Sequence, residues 1–352
     1  MDGVYAALAC VPLFRNVRRE DIKLERLGGA LTNVSYKVTT GGAAYVLRLA
    51  GKGTSDYIDR TAEEHNARVA SAAGVNAKVL YFDARDGTMV TRFVEGVSMN
   101  AGEGFGLDSG APIRAARALE RVHRLGRVFE SRFDVFAAID DYLGLLREQR
   151  TPLPEDYHEV RRKTRAVRRA LEASPVPLVP CHNDPWPGNL LDADGRIYLI
   201  DWEYSGMNDP MWDLADLSVE AGFGPEQDRT MMEAYYGARP SPDLYSRLEI
   251  YKAMGDLHWS LWGFVQHAKG NPAEDFWGYG LERLGRSRAR MSSADFSRHV
   301  GVVREGGRPC APKRAYRVDP EKRKLVRTVP ESALPPTSSP PSPSPPTTSA
   351  LP

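Results

Sequence analysis

The feature that most restricts the fold of this chain is a group of polar residues around one short hairpin. Asp184 is followed five residues later by Asn189, and Asp201 lies near the end of a predicted strand pair made of residues 189–192 and 197–202. An Ala-Asp-Gly turn joins the two strands, and Asp and Gly are favoured in such turns. The pattern associates two carboxylates and a carboxamide with one hairpin.

These side chains suit a phosphoryl-transfer site. One carboxylate can take the proton from an attacking hydroxyl group, while an amide oxygen and a second carboxylate hold Mg²⁺ against nucleotide phosphates. Mg²⁺ favours a few hard oxygen ligands, completed by phosphate and water. A single Asp or Asn is more often a turn residue, so the prediction depends on the three residues occurring together and in this order.

The same segment resembles a known superfamily. His182, Asp184 and Asn189 form the pattern H-x-D-x-x-x-x-N, and Ile-Asp-Trp-Glu follows with Asp201 as its second residue. This is similar to the superfamily of aminoglycoside phosphotransferases and choline/ethanolamine kinases, distant relatives of the protein kinases. The resemblance implies that Asp184 is the catalytic base and that His182 braces its loop. It also implies Asn189 and Asp201 as metal ligands, with Glu203 as a further ligand or a supporting residue.

The sequence before this segment has the pattern of a small mixed lobe. Two hairpins are predicted within residues 34–49 and 79–93, and a helix entered at Ser55 or Asp56 and ending near Ala73 lies between them. Later segments carry helix-spaced apolar residues with many arginines. With the resemblance, this predicts an α+β, bilobal, protein kinase-like fold.

The predicted lobes divide the chain into three parts. A β-rich N-lobe for nucleotide binding covers residues 1–94, and a larger, mainly helical C-lobe for catalysis and substrate binding covers residues 95–305. Residues 306–352 are basic and then rich in Pro, Ser and Thr. Such a composition cannot bury enough apolar surface to offset its ordering entropy, so this tail is predicted to be disordered.

A glycine-containing loop in the N-lobe resembles the loop that these kinases fold over the nucleotide phosphates. The resemblance covers residues 28–36 and implies binding roles for four of them: Gly29, Thr32, Asn33 and Ser35. Backbone N–H groups and short polar side chains in such a loop can reach phosphate oxygens. A Gly-Gly pair alone would indicate only a turn.

Two further N-lobe segments match the resemblance. Arg48 occupies the strand position where protein kinases place a phosphate-binding Lys, and Arg at this point is typical of choline kinase-like proteins. The pattern R-x-x-E-x-x-N selects Glu63, rather than Glu64, as the helix carboxylate that pairs with Arg48. Backbone groups at Phe93 and Val94 are expected to hold adenine at the hinge between the lobes.

An aromatic pair in the C-lobe indicates the substrate. Trp259 and Trp262 are three residues apart in a predicted helix and therefore share a face. Helical aromatic residues are usually core residues, but choline kinases carry a similar W-x-x-W in an aromatic cage for a quaternary ammonium group, held by cation–π attraction. The resemblance extends this cage to further residues: Tyr204, Phe223, Tyr279 and Glu220, the last as a counter-charge to the ammonium. Asp213 is interpreted as a structural acid that braces the catalytic loop.

Composition limits the partners of the chain. A net charge of +1 over 352 residues argues against nucleic-acid binding, which usually requires a basic face. No apolar run approaches the ~18–20 residues of a membrane span, and the N-terminus has no basic segment typical of a signal peptide. Three widely spaced cysteines form neither a disulfide framework nor a zinc pattern. These features predict a cytoplasmic protein, and they leave its oligomeric state open.

The predicted function is ATP-dependent phosphorylation of the hydroxyl group of a small amino alcohol, choline first and ethanolamine second, with ATP and Mg²⁺ as cofactors. An aminoglycoside or thiamine kinase is one alternative, and a non-catalytic nucleotide- or amine-binding protein of the same fold is another. Asp184, Asn189 and Asp201 occur together, which favours an enzyme. Paired tryptophans, rather than several acidic groups, favour an amino alcohol.

Overall fold

Alternating strand patterns in the first hundred residues produce a five-stranded antiparallel sheet with the order β1-β2-β3-β5-β4. The computed structural model describes residues 2–29, 31–51, 53–100, 105 and 108–306, and the backbone of 315–319 and 324–328. The strands of the sheet are β1 (Lys23–Leu27), β2 (Val34–Thr40), β3 (Ala43–Leu49), β4 (Val79–Asp83) and β5 (Thr88–Arg92). Both predicted hairpins are present, β2–β3 and β4–β5.

One face of this sheet is covered by the N-terminal helix α1 (Asp2–Cys10). Leu8, Val38, Leu47 and Val90 are completely or almost completely buried in their shared apolar cluster. Strand alternation places Leu47 in this cluster, and the next residue, Arg48, faces the opposite side of the sheet. The core thus fixes the direction in which Arg48 points.

Helix α2 (Arg60–Ala72) lies on the side of the sheet reached by Arg48. The prediction that this helix begins at Ser55 or Asp56 is wrong, because those residues belong to a short 3-10 turn, Thr54–Asp56. The helix is capped by Asp59, whose carboxylate accepts hydrogen bonds from the N–H groups of the second and third helical residues. An Asp side chain at this position satisfies N–H groups that have no partner inside the helix.

The C-lobe is mainly helical. At the centre of this lobe, a long and largely buried helix, α8 (Pro242–Ala268), packs against four other helices: α4 (Val135–Glu148), α6 (Pro210–Glu220), α9 (Phe276–Ser292) and α10 (Ala294–Glu305). Burial along nearly all of α8 explains why its apolar residues do not form a single stripe. The lobe also contains α3 (Ala111–His123), α5 (Asp156–Ala173) and α7 (Pro225–Tyr236). Within the described residues, no helix has the length and apolar character needed to cross a membrane.

Short strands at the junction of the lobes position the polar hairpin. β8 (Leu190–Ala193) pairs with β9 (Arg196–Leu199), and β6 (Val97–Ser98), directly after the hinge, pairs with β8. The predicted turn is confirmed, since Asp194 and Gly195 have φ of 52° and 80°. Strand β9 ends at Leu199, whereas the sequence predicted a strand over residues 197–202. It ends early because Asp201 has a φ of 62°, which lies outside the strand conformation.

A second strand pair closes the segment that carries the site. β7 (Val179–Cys181) pairs with β10 (Gly206–Asn208) in antiparallel register, so that both ends of the segment between them are fixed. The buried Cys181 and the exposed Cys10 carry free thiols, and Cys310 lies outside the described residues.

The tail contains a hairpin that the composition does not predict. β11 (Ala315–Asp319) and β12 (Lys324–Thr328) pair with each other in a two-stranded sheet of their own. These two strands lie within the segment predicted to be disordered, and the disorder of the tail as a whole stays a prediction. The remaining residues of the tail lie outside the described residues.

Truncation after Gly306 is expected to leave folding and activity unchanged, because, within the part of the chain that the structure describes, the strands of the tail hairpin pair only with each other. The check is the melting temperature and turnover number of residues 1–306 beside those of the full chain. A fall of several degrees in the melting temperature, or a large fall in turnover, would show that the tail packs on the lobes.

Candidate active site

The loop after β7 is held by a buried carboxylate. Asp213, at the start of α6, accepts the backbone N–H of His182 (2.8 Å) and of Asn183 (2.7 Å), and the ring of His123 contacts the same carboxylate at 2.9 Å. Asn183 has a φ of 68°, a conformation that Asn tolerates better than most residues. The interpretation of Asp213 as a structural acid is confirmed.

His182 acts inside this loop as a brace. Its Nε2 lies 2.9 Å from the carbonyl oxygen of Ile200, and its ring packs edge-on against Trp202. Burial lowers the pKa of His182, so the neutral ring donates Nε2–H to that carbonyl. This hydrogen bond connects the loop to Ile200, the residue before Asp201. It therefore fixes the positions of Asp184 and Asp201 relative to each other.

Asp184 and Asn189 face each other across a short 3-10 turn. The Asn189 Nδ2 atom donates to the backbone oxygen of Asp184 at 3.0 Å and to its Oδ2 at 3.1 Å. Burial, and then the nearby carboxylates of Asp216 and Asp201, raise the pKa of Asp184 well above its ordinary value. A carboxylate in this environment has an increased affinity for protons, which is a property expected of a general base.

Asp201 lies between the lobes. Its Oδ1 pairs with Arg48 Nη1 at 3.1 Å, and its Oδ2 accepts Asn33 Nδ2 at 3.3 Å. Burial and the neighbouring Glu203 carboxylate raise the pKa of Asp201 to about 7, although Arg48 opposes this shift. The site therefore contains more negative charge than its basic residues neutralise.

A buried ion-pair network surrounds Asp201. Arg48 Nη1 lies 2.5 Å from Glu63 Oε1, which confirms the predicted pairing of these two residues. Arg60 contacts the other oxygen of Glu63 at 2.6 Å and Glu203 Oε1 at 2.5 Å. Sequence reasoning identified Arg60 only as part of the R-x-x-E-x-x-N pattern, and its contact with Glu203, 143 residues away, could not be predicted from local spacing.

The residues of this network fit Mg²⁺. One oxygen from each of Glu63, Asp201 and Glu203 lies within 4.8 Å of the others. Three carboxylates face the two guanidinium groups of Arg48 and Arg60, which leaves one negative charge in excess. Oxygen donors with excess negative charge are the environment that Mg²⁺ prefers.

Asn189 completes the possible ligand set. Because its Nδ2 bonds to Asp184, its Oδ1 is the atom available to a cation. Asp201 is engaged by Arg48 at 3.1 Å and Glu203 by Arg60 at 2.5 Å, and ligation of the ion by Asn189 and Asp201 stays a prediction. Direct ligation by Glu203 stays a prediction.

The predicted phosphate loop contacts both lobes. Asn33 Oδ1 accepts the N–H of Gly51 at 3.1 Å, so that one amide side chain joins the loop, the end of β3 and Asp201. Gly29 has a φ of 91°, which requires glycine. Gly51, which sequence reasoning did not single out, is also required, because a Cβ atom there would lie 2.2 Å from the carbonyl oxygen of Thr32.

The remaining predicted nucleotide residues lie in the sheet of the N-lobe or directly after it. Ser35 in β2 is the strand partner of Arg48 in β3. The N–H of Phe93, the residue after β5, donates to the carbonyl oxygen of Ala44 in β3. Phe93 and Val94 are partly exposed between the sheet and β6. Ala30 lies outside the described residues. The nucleotide-binding roles of these residues stay predictions.

The structure brings four of the predicted cage residues together. Trp259 meets Trp262 edge to face with 5.9 Å between ring centroids, Tyr204 meets Trp259 at 5.4 Å, and Trp262 meets Tyr279 at 5.9 Å. Trp259 and Trp262 are 5% and 6% exposed and belong to the hydrophobic core of the C-lobe.

The other two predicted cage residues have different partners. Phe223 packs edge-on against Phe105, and among the described residues it has no ring contact with either tryptophan. Glu220 forms an ion pair with Arg283 at 2.6 Å, and the Arg283 guanidinium also lies over the Tyr279 ring, 5.1 Å from its centroid. The negative charge of Glu220 is thus already compensated within the protein.

Sequence reasoning missed several residues near the cage. The Tyr142 hydroxyl donates to that of Tyr204 at 3.3 Å, and Tyr57 packs edge-on against Tyr142. His258 is enclosed by aromatic rings. Asp216 accepts the indole N–H of Trp259 at 2.6 Å. A carboxylate between apolar residues of α6 was a visible signal for Asp216, whereas nothing local indicated the two tyrosines.

Comparison with known proteins shows the family to which this chain belongs. Residues 23–250 match the model of the phosphotransferase enzyme family, which is more than half of the chain. The chain belongs to this family. It is 31% identical to protein LicA of Haemophilus influenzae over 263 residues, which are 72% of this chain and 96% of that protein. This phosphotransferase chain is therefore a small-molecule kinase.

Solved structures agree with this assignment. A choline/ethanolamine kinase family protein from Mesorhizobium loti has a TM-score of 0.76 and is 44% identical, covering 87% of this chain and 99% of that one. The choline kinase LicA from Streptococcus pneumoniae has a TM-score of 0.70 and is 28% identical, covering 83% and 98%. The predicted kinase-like α+β fold and the resemblance to choline/ethanolamine kinases are confirmed.

Proposed function

We propose that this phosphotransferase transfers the γ-phosphoryl group of ATP to the hydroxyl group of a small amino alcohol, choline or ethanolamine. The observation that supports this most strongly is the position of Asp184. Its carboxylate is held by Asn189 at 3.1 Å, and burial, followed by the nearby carboxylates of Asp216 and Asp201, raises its pKa.

The residues of the chain have separate tasks in this reaction. Asp184 accepts the proton of the substrate hydroxyl group as its oxygen attacks phosphorus. Asn33, Arg48 and the backbone of the loop near Gly29 orient the phosphates. Mg²⁺, held by Asn189 and Asp201, neutralises phosphate charge when bound. Glu63 and Arg60 keep Arg48 and Glu203 in place through buried ion pairs.

The aromatic wall supports a cationic substrate. Tyr204, Trp259 and Trp262 form a continuous series of edge-to-face contacts, and ring faces attract ammonium groups. The relatives named as choline or ethanolamine kinases agree with this substrate class.

A nucleotide-consumption assay tests the proposal. ADP release is measured with choline, ethanolamine, thiamine and an aminoglycoside as acceptors, each with and without Mg²⁺. We expect release only with Mg²⁺ and highest with choline or ethanolamine. Preference for thiamine or the aminoglycoside would overturn the substrate class.

Replacement of Trp262 by Ala is expected to raise KM for choline about thirtyfold, because a desolvated cation–π contact is worth ~2 kcal/mol. The apparent affinity for ATP should change little. Michaelis constants for both substrates and the melting temperature provide the check.

Trp277→Ala is the matched control, since Trp277 packs on Phe264 and His267 outside the cage. We expect it to lower stability without a selective effect on choline. If Trp262→Ala raised both Michaelis constants in parallel and resembled this control, Trp262 would be a core residue only.

A further inference from the structure

The end of helix α8 is attached to the predicted phosphate loop, residues 28–36. Asn271, three residues after the helix, donates its Nδ2–H to the carbonyl oxygen of Leu31 at 3.1 Å, although the two residues are 240 positions apart in the chain. The Leu31 side chain also packs against the main hydrophobic cluster of the C-lobe. The loop is therefore held by the same helix that carries the two tryptophans.

Gln266 extends this attachment into the protein interior. It is 4% exposed on α8, its Oε1 accepts an N–H of Asn271 at 3.0 Å, and its Nε2 donates to the Tyr57 hydroxyl at 3.1 Å. The Asn271 oxygen accepts the N–H of Ala273 at 3.1 Å, so the Asn271 nitrogen faces Leu31 and Gln266. Gln266 must then direct its own nitrogen to Tyr57, and both ends of its amide have a partner.

Tyr57 connects this pair of amides to the aromatic residues proposed to bind the alcohol. Its ring meets Tyr142 edge-on with 6.1 Å between centroids, and the Tyr142 hydroxyl donates to that of Tyr204 at 3.3 Å. Along α8, Gln266 follows Trp262 by four residues, so the two side chains share a face of the helix. A continuous series of contacts thus runs from the predicted phosphate loop to the proposed acceptor site.

The two ends of this series are less firmly enclosed than its centre. Leu31 and Tyr57 are only partly buried, whereas Gln266 lies on a buried helix. A ligand that orders one end of such a network lowers the entropic cost of ordering the other end, which couples the two binding events. Coupling between binding free energies is reciprocal, so each ligand must tighten the other by the same factor.

We propose that Gln266 is a positioning residue that couples the two substrates of this kinase. An alcohol in the acceptor site tightens the binding of ATP through the phosphate loop, and ATP tightens the binding of the alcohol. Gln266 acts through Tyr57 and Asn271 and does not enter the reaction. This inference rests on the proposed function, because the alcohol and ATP are the substrates of that reaction.

The test is calorimetric titration with a non-hydrolysable ATP analogue and Mg²⁺, without and with a saturating amount of choline or ethanolamine, whichever gives the higher turnover. The ratio of the two dissociation constants is the coupling factor. We expect a factor of at least about five for the wild-type chain, the lower end of typical couplings between sites. Gln266→Met keeps the length of the side chain but removes both hydrogen bonds, and its factor should be close to one.

Two further variants separate coupling from general damage. Tyr57→Phe removes only a hydroxyl group and leaves the bond between Gln266 and Asn271 in place, and it should also lower the coupling factor. Gln149→Met makes the same change at an exposed amide at the end of α4 and should retain the wild-type factor. A loss of stability reduces the amount of folded protein but does not by itself change a ratio of dissociation constants.

The outcomes distinguish this inference from the proposed function. If the wild-type chain phosphorylates the alcohol, and both Gln266→Met and Tyr57→Phe retain the wild-type coupling factor, Gln266 does not couple the substrates, and the function stands. A wild-type factor of one leads to the same conclusion. If Gln266→Met does not fold, Tyr57→Phe decides. If the wild-type chain phosphorylates no amino alcohol, the proposed function is wrong, and this inference falls with it.

Discussion

Replacing Asp184 by Asn is expected to lower kcat about 10²–10⁴-fold, because the site then lacks the group that accepts the proton of the substrate hydroxyl. An Asn side chain has nearly the same shape and can still accept the bond from Asn189 Nδ2. Nucleotide affinity should therefore remain near that of the wild-type chain. Single-turnover kinetics and a direct nucleotide-binding measurement provide the check.

Asp194→Asn is the matched control for this variant. Asp194 lies in the exposed turn of the same hairpin and has a φ of 52°, a conformation that Asn also tolerates. We expect its stability to change by less than ~0.5 kcal/mol, as for most surface substitutions, with turnover unaffected. Normal turnover of the Asp184→Asn variant would mean that Asp184 is only a loop residue.

The second large effect is expected at the proposed metal site. Asp201→Asn should raise the Mg²⁺ concentration that gives half-maximal turnover. The increase should exceed the roughly 10–100-fold loss of metal affinity that is typical when a residue hydrogen-bonded to a metal ligand is replaced. The physical reason is the loss of a carboxylate from a site where burial and the neighbouring Glu203 carboxylate raise the pKa of Asp201 to about 7.

Glu203→Gln makes the same change in charge next to Asp201 and is the comparison for this experiment. Because Glu203 is already bound by Arg60 at 2.5 Å, its replacement should shift the Mg²⁺ curve less and lower the melting temperature more. Identical Mg²⁺ curves for the wild-type chain and both variants would remove Asp201 from the metal site.

Local sequence patterns predicted the parts of the site that depend on spacing along the chain. The turn at Asp194 and Gly195, the facing pair Asp184 and Asn189, and the contact of two tryptophans three residues apart all follow from short-range geometry. The pairing of Arg48 with Glu63 required the resemblance to known kinases, because strand and helix meet only after folding.

The errors have a common physical cause. Tertiary packing, rather than local spacing along the chain, determines the partner of each of these side chains. Glu220 was expected to face the substrate, but it pairs with Arg283, 63 residues later in the chain. Phe223 was expected in the cage, but the chain turns after α6 and directs its ring to Phe105. Asp216 was overlooked although a carboxylate between apolar residues was visible in the sequence, because its partner Trp259 lies 43 residues later in the chain.

The central claim is that this phosphotransferase moves a phosphoryl group from ATP to the hydroxyl group of an amino alcohol. The most direct measurement is phosphorus NMR of a reaction containing the full chain, ATP, Mg²⁺ and choline or ethanolamine. The account predicts one phosphomonoester of the alcohol for each ADP formed. Release of inorganic phosphate without the phosphomonoester, or bound nucleotide that is never consumed with either alcohol, would contradict it.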